Sequence, residues 1–198
     1  VFQTGYGFAS SSGSIAMATR NAGKKGVSGI MQVYTGTSSI GNSGSFELDT
    51  GKATKGKGGS INIRVGTGDS SVGGDVFTRA GKTTAQFTGG KITLVSGFSS
   101  PTSSGLIELR TANSGKEGVS GGIHLNTGTT TLGNSGKQTV TTGVATNGHG
   151  GDIDISVGSG NSGNGGDVTL IAGETTEKQR VGGHVIVRAG LGSSENSA

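Results

Sequence analysis

A tandem repeat of about 15 residues restricts the fold of this 198-residue chain more than any other feature. Cutting the chain after the glycine that ends each polar stretch yields successive repeats such as 60–74 and 91–105. Each repeat reads x-h-x-h-x-s-G, where h is a large apolar residue and s is Thr, Val, Ala or Ser, followed by a return rich in Gly, Ser, Thr and Asn. A repeat this short leaves no room for a helix and its return, so we expect one strand per repeat.

A longer period of 92 residues is superimposed on the short one. The segment SIAMATRNAGKKGVSG at 14–29 reappears as LIELRTANSGKEGVSG at 106–121, so six short repeats form one block. We therefore expect one continuous domain over 1–198, in which 1–13 ends one block and 14–105 and 106–198 are complete blocks. We also expect the chain to be a piece of a longer array.

The alternation within each repeat predicts an all-β fold, a single-stack β-solenoid (parallel β-helix) with coils of about 15 residues. Period-two spacing places both h residues and the s residue on one side of a strand, and the glycines after s and at the end of the return would form two corners. An antiparallel meander of hairpins is a weaker alternative, because each repeat offers only one good strand. The predicted inward ladder comprises Ile61, Ile63, Ile92, Leu94, Ile153, Ile155, Val168, Leu170, Val185 and Val187.

Composition opposes this fold. The chain has 43 Gly and is only 29% hydrophobic, which is typical of disordered or silk-like chains. Burying about two aliphatic side chains per coil contributes roughly 3 to 6 kcal/mol, which does not offset the ordering of a whole coil. A solenoid would therefore need ladder hydrogen bonds between coils and cooperative stacking.

Motifs of nucleotide and calcium binding are incomplete. The glycine spacing of DIDISVGSGNSG at 152–163 matches a dinucleotide fingerprint and AGKTT at 80–84 resembles a phosphate loop, but strand patterns rather than helices follow both. Asp152, Asp154 and Asp167 follow glycine pairs, yet the acid does not recur from coil to coil as a calcium-binding roll requires. We expect no cofactor and no metal.

Catalytic constellations are also missing from the pattern. His124, His149 and His184 occupy different positions in their repeats, and no triad or carboxylate pair can be placed on neighbouring coils, so we expect no enzyme. The chain has no Cys for disulfides or thiolate ligands, and no apolar run approaches the length of a membrane span. We expect neither membrane insertion nor nucleic-acid binding, since the formal charge is only +4 and aromatics make up 4%.

Two rows of polar residues are candidate binding faces. The outward position before s predicts an anion-contacting face of Arg64, Arg79, Arg110 and Arg188. The return predicts a ladder of hydroxyls, suited to ordering water as an ice-binding face does, or to capping turns through local backbone bonds. This candidate ladder face comprises Ser39, Thr54, Thr84, Ser100, Thr131, Thr146, Thr176 and Ser193.

The motifs GGDVTLIAG, GVSG, GNSG and TGT inside a six-repeat block resemble the glycine-rich β-solenoid repeat arrays of microbial and algal secreted or cell-surface proteins. The resemblance implies an extracellular or cell-surface location and supplies no functional residues. We therefore expect a non-enzymatic structural repeat protein, acting as a rigid extracellular rod, filament segment or adhesin stalk. Its partners would be other copies, end to end or laterally, and glycan or cell-wall matrix. The alternative is a binding module for ice or for a polyanionic glycan.

Overall fold

The computed structural model describes residues 2–8 and 11–192, and these contain no helix and no strand. The chain divides into two parts, an N-terminal half, Val1–Val95, and a C-terminal half, Ser96–Ala198. Ser193 of the predicted ladder, residues 1, 9 and 10 of the predicted segment 1–13, and residues 193–198 of the predicted segment 106–198 lie outside the described residues. The prediction of an all-β solenoid is therefore wrong, as are the hairpin meander and the description of the chain as a β-helix.

The backbone bends once in the return of each repeat. These bends fall midway between the glycine that follows s and the terminal glycine, and they recur every 15 or 16 residues. The two predicted corners, at those glycines themselves, are thus misplaced. The bends and turns span 24–26, 39–41, 54–56, 69–71, 84–87, 100–102, 116–118, 131–133, 146–148, 161–163 and 177–179.

The predicted inward ladder is exposed to solvent. Ile61 is 50% exposed and Ile63 is 76% exposed, and none of the ten ladder residues is buried. Exposure does not follow the alternation consistently: the outward residue Val95 is 83% exposed, but the ladder residue Val187 is also 86% exposed and the outward residue Ile186 is 66% exposed. Period-two spacing fixes which side chains share a face, but burial requires a second surface against that face.

Hydrogen bonding explains why a stack of strands does not form. Within the described part of the chain there are four backbone–backbone bonds outside regular elements, and each joins residues of one repeat. A solenoid requires every coil to bond to the coil above and below, since buried backbone groups without partners are costly. Two aliphatics per repeat do not supply the free energy to order about 15 residues without those bonds.

The surface area agrees with this local order. The chain exposes 21187 Å². A compact monomer of its mass would expose about 8,500 Å² and the unfolded chain about 28,000 Å². The aliphatic side chains thus face solvent, and the backbone–backbone bonds described above lie within single repeats.

Candidate functional site

Twelve repeats within the described residues close on themselves, because the terminal glycine of each lies beside its s residue. A Cβ atom placed on Gly44 would lie 3.6 Å from Cβ of Thr35, and one on Gly136 would lie 3.4 Å from Cβ of Thr127. We call this contact the closure of the repeat. Closures occur at Thr4–Gly13, Thr19–Gly29, Thr35–Gly44, Thr50–Gly59, Val65–Gly74, Ala80–Gly90, Ser96–Gly105, Thr111–Gly121, Thr127–Gly136, Thr142–Gly151, Val157–Gly166 and Ala172–Gly183.

Threonine can close a repeat with its hydroxyl. Thr35 Oγ1 donates a hydrogen bond of 3.0 Å to the carbonyl oxygen of Gly44, nine residues later. Thr50 Oγ1 makes the equivalent bond of 3.3 Å to Gly59. Both bonds are exposed, so each contributes at most about 1 kcal/mol to the closed form.

Valine closes a repeat by filling the space that a side chain on the glycine would need. A Cβ atom on Gly74 would lie 2.8 Å from Cγ1 of Val65, and one on Gly166 would lie 2.9 Å from Cγ1 of Val157. Both distances are shorter than carbon atoms tolerate, and valine has little freedom to rotate its methyl groups away. These closures therefore require glycine.

Alanine and serine, the smallest s residues, let the two backbones approach and bond directly. Gly90 N–H donates to the carbonyl of Gly81 at 2.9 Å, and Gly183 N–H donates to that of Gly173 at 2.8 Å. Gly105 and Gly97 make the same bond, at 2.9 Å, beside Ser96. The glycine after s, predicted to be a corner, serves here as the acceptor of the closure.

Three pairs of bends share their backbone angles across the 92-residue period. Gly41 and Gly133 adopt φ values of 100° and 106°, and Gly26 and Gly118 adopt 141° and 123°. Lys55 has φ of 63° and Asn147 has 60°, although neither is glycine. The left-handed region is unfavourable for a lysine and better tolerated by asparagine. The same left-handed bend is thus formed by a lysine in one half and by an asparagine, which tolerates this conformation better, in the other.

The predicted hydroxyl ladder lies at these bends. Its members at 39, 54, 84, 100, 131 and 146 each begin a bend, and Thr176 immediately precedes one. All are exposed. The ladder face stays a prediction.

Turn capping falls to the residue before the ladder position, which sequence reasoning missed. Ser38 Oγ donates to the carbonyl of Ile40 at 2.9 Å, and Thr130 Oγ1 donates to that of Leu132 at 3.1 Å. Thr83 Oγ1 instead accepts from the N–H of Ala85 at 3.2 Å. At these three bends the sequence signal is a Ser or Thr one residue before the bend begins, whereas the bends at 54–56 and 146–148 have Ala at that position.

The predicted anion-contacting arginines, Arg64, Arg79, Arg110 and Arg188, are exposed. Arg110 Nε lies 3.5 Å from Glu108 Oε1, and the Arg79 guanidinium lies 5.6 Å from the ring centroid of Phe77. Each contact joins residues two positions apart on one face of an extended segment, as alternation predicts. These two arginines thus contact neighbours within their own repeats, and anion binding stays a prediction.

A contact between neighbouring repeats occurs in the C-terminal half. Gln138 Nε2 donates a hydrogen bond of 2.9 Å to the carbonyl of Leu125 in the preceding repeat. Gln138 stands at the first h position, where most repeats have an aliphatic residue. This side-chain bond joins the extended segments of two successive repeats without forming a sheet.

No group of three or more His, Asp or Glu side chains suited to a metal ion occurs in residues 2–8 and 11–192. Among the same residues no helix could cross a membrane. Comparison of the chain with models of protein families, with curated proteins and with solved structures found no match.

Proposed function

We propose that the chain is a non-enzymatic structural repeat protein of an extracellular or cell-surface assembly, and that its repeats act by associating with other copies. One observation carries the proposal: every h position that the sequence pattern assigns to a core is exposed, although the repeats around them are closed. The extracellular location rests on the resemblance described above. A stiff rod built on a stacked core is no part of the proposal.

The exposed aliphatics recur at a regular spacing along the chain. Ile61 and Ile63 are 50% and 76% exposed, and Ile153 and Ile155, 92 residues later, are 51% and 74% exposed. Exposed apolar patches mark interaction sites in soluble proteins, and we propose that the recurring aliphatic pairs serve as such patches. Burying one such side chain against another copy contributes roughly 1.5 to 3 kcal/mol, so a few repeats are enough for a stable contact.

The closures give the association a defined spacing. Each closure joins residues 9 to 11 positions apart, as in Thr35–Gly44 and Ala172–Gly183, and the h residues lie outside the loop that it closes. Successive repeats therefore present their aliphatic pairs in the same local form. A partner with the same period, such as another copy, can contact several repeats at once, and the contacts add.

Sedimentation velocity over a dilution series tests the proposal with two variants. Ile63→Asp replaces an exposed aliphatic side chain with a charged one and should weaken association, because a carboxylate is costly to bury against another copy. Each 1.4 kcal/mol of association free energy that is lost weakens the affinity about tenfold. Asn62→Asp adds the same charge one residue away and should have little effect. Asp154 already stands at the equivalent position of the next block.

Two results contradict the proposal. One is a wild-type chain that sediments as a monomer up to its solubility limit. The other is an equal loss of association in Asn62→Asp and Ile63→Asp, which would mean that added charge rather than lost apolar contact acts.

A further inference from the structure

We infer that copies associate head to tail, with the N-terminal half of one copy against the C-terminal half of the next. This inference rests on the proposed function and specifies the partner surface. It stands on a difference in charge between two halves that otherwise repeat each other. The partner is a second copy of this chain.

The two halves carry opposite net charges. Val1–Val95 contains ten Lys and Arg and four Asp and Glu, a formal net charge of +6. Ser96–Ala198 contains six Lys and Arg and eight Asp and Glu, a formal net charge of −2. The two values account for the +4 of the whole chain. The overall charge therefore conceals a basic half and an acidic half.

Equivalent positions 92 residues apart change sign or lose charge. Lys25 is replaced by Glu117 and Lys82 by Glu174. A lysine triad, Lys52, Lys55 and Lys57, has Val144, Asn147 and His149 as its counterparts. The acidic half gains Asp152 and Asp154 where the basic half has Ser60 and Asn62. All of these residues are exposed.

The basic charge is not neutralised within its own half. Among the described residues the ion pairs are Arg110–Glu108 at 3.5 Å and Arg180–Glu177 at 3.7 Å, and both lie in the C-terminal half. The ten cations of the N-terminal half are all described, and none is in an ion pair there. Their charge is thus available to an acidic surface.

Charge complementarity selects the orientation of association. Apposing two basic halves is repulsive, whereas a basic half attracts the acidic half of another copy. Such an interface is heterologous, so each copy keeps one half available and assembly continues as a filament or closes as a ring. Because the charges are exposed, the selection weakens as salt shortens the screening length to about 3 Å at 1 M.

Two triple variants of the full chain separate this arrangement from an effect of total charge. Lys52→Glu/Lys55→Glu/Lys57→Glu brings the N-terminal half from +6 to 0. Lys116→Glu/Lys137→Glu/Lys178→Glu takes the C-terminal half from −2 to −8. Both variants change the whole chain from +4 to −2. An effect of total charge would therefore be the same in both.

Head-to-tail association predicts opposite results for the two triples. By sedimentation velocity in low salt, the first should weaken association at least tenfold, and the second should maintain or strengthen it. In 1 M salt the difference between the two triples should disappear. Lys52→Gln/Lys55→Gln/Lys57→Gln should give an intermediate loss, and nuclear Overhauser contacts at the Thr35–Gly44 closure should stay unchanged in every variant.

The head-to-tail arrangement would be overturned if the two triple variants changed the strength of association equally, or if association did not depend on salt concentration. Either result would leave self-association itself intact. A wild-type chain that never associates would overturn the proposed function itself, so the two failures are distinguishable.

Discussion

The N-terminal and C-terminal halves share their closures and differ in what surrounds them. Val65–Gly74 and Val157–Gly166 close with the same short approach, and Ala80–Gly90 and Ala172–Gly183 stand beside the same backbone bond. Thr35 bonds Gly44, whereas its counterpart Thr127 contacts Gly136 through its Cβ and methyl. The block thus repeats the pairing of s with glycine, while charge and bend residues vary. The two halves therefore share the contacts between s residues and terminal glycines, and they differ in their exposed charged residues.

The largest expected effect is on the rate of disulfide formation between cysteines placed at the two positions of a closure. The chain has no native Cys, and Cβ separations of 3.6 Å for 35/44 and 3.4 Å for 127/136 are close to the spacing of about 3.8 Å in disulfides. We expect Thr35→Cys/Gly44→Cys and Thr127→Cys/Gly136→Cys to oxidise within the chain about tenfold faster than an off-register pair. Mass spectrometry under mild oxidation measures the rates.

The off-register control is Val33→Cys/Asn42→Cys, which closes a loop of the same length. Equal rates for it and for the 35/44 pair would mean that the closure does not form. A fast 35/44 pair with a slow 127/136 pair would mean that only one half is closed.

Adding one methyl group should distinguish valine closures from threonine closures. Gly74→Ala and Gly166→Ala should each open their repeat at a cost of about 1 to 3 kcal/mol, because the new Cβ overlaps a valine methyl. Gly44→Ala should be tolerated, since its Cβ would lie 3.6 Å from Thr35 Cβ. The measurement is the nuclear Overhauser contact between residue 74 and the Val65 methyls. A Gly74→Ala chain that keeps this contact would contradict the assigned packing.

The smallest expected effect is on the backbone conformation at residues 55 and 147 when the bend residues of the two halves are exchanged. Lys55→Asn should favour the left-handed backbone by less than about 1 kcal/mol, and Asn147→Lys should disfavour it by a similar amount. Backbone chemical shifts and three-bond couplings at residues 55 and 147 report the populations. Changes of the same sign in both variants would show that the local sequence around each bend, rather than the exchanged residue, sets the angle.

Sequence reasoning located the repeats and the residues within them better than their fold. The x-h-x-h-x-s-G pattern correctly indicated that residues two apart share a face, as Glu108 and Arg110 do. It did not indicate whether that face is buried, because burial depends on a second repeat at hydrogen-bonding distance. The exposure of Ile63 at 76% therefore follows from missing partners and not from a wrong alternation.

The sequence indicated the terminal glycine of each closure but not the residue that it contacts. The glycine at the end of each return was predicted to form a corner, and the contact of Gly74 with Val65 could not be identified without the backbone path. The bend was misplaced for a related reason. Serine and threonine cap turns from several offsets, and the bonds from Ser38 to Ile40 and from Thr130 to Leu132 show which offset operates.

The tolerance of the closure for loop length has a consequence for how such a gene changes. Closures span nine residues at Thr35–Gly44, ten at Ala80–Gly90 and eleven at Ala172–Gly183, and each uses residues of a single repeat. Unequal recombination that adds or deletes one whole copy of the coding unit therefore leaves every closure with both of its residues. Copy number can thus drift in a population while every surviving repeat keeps its internal contact.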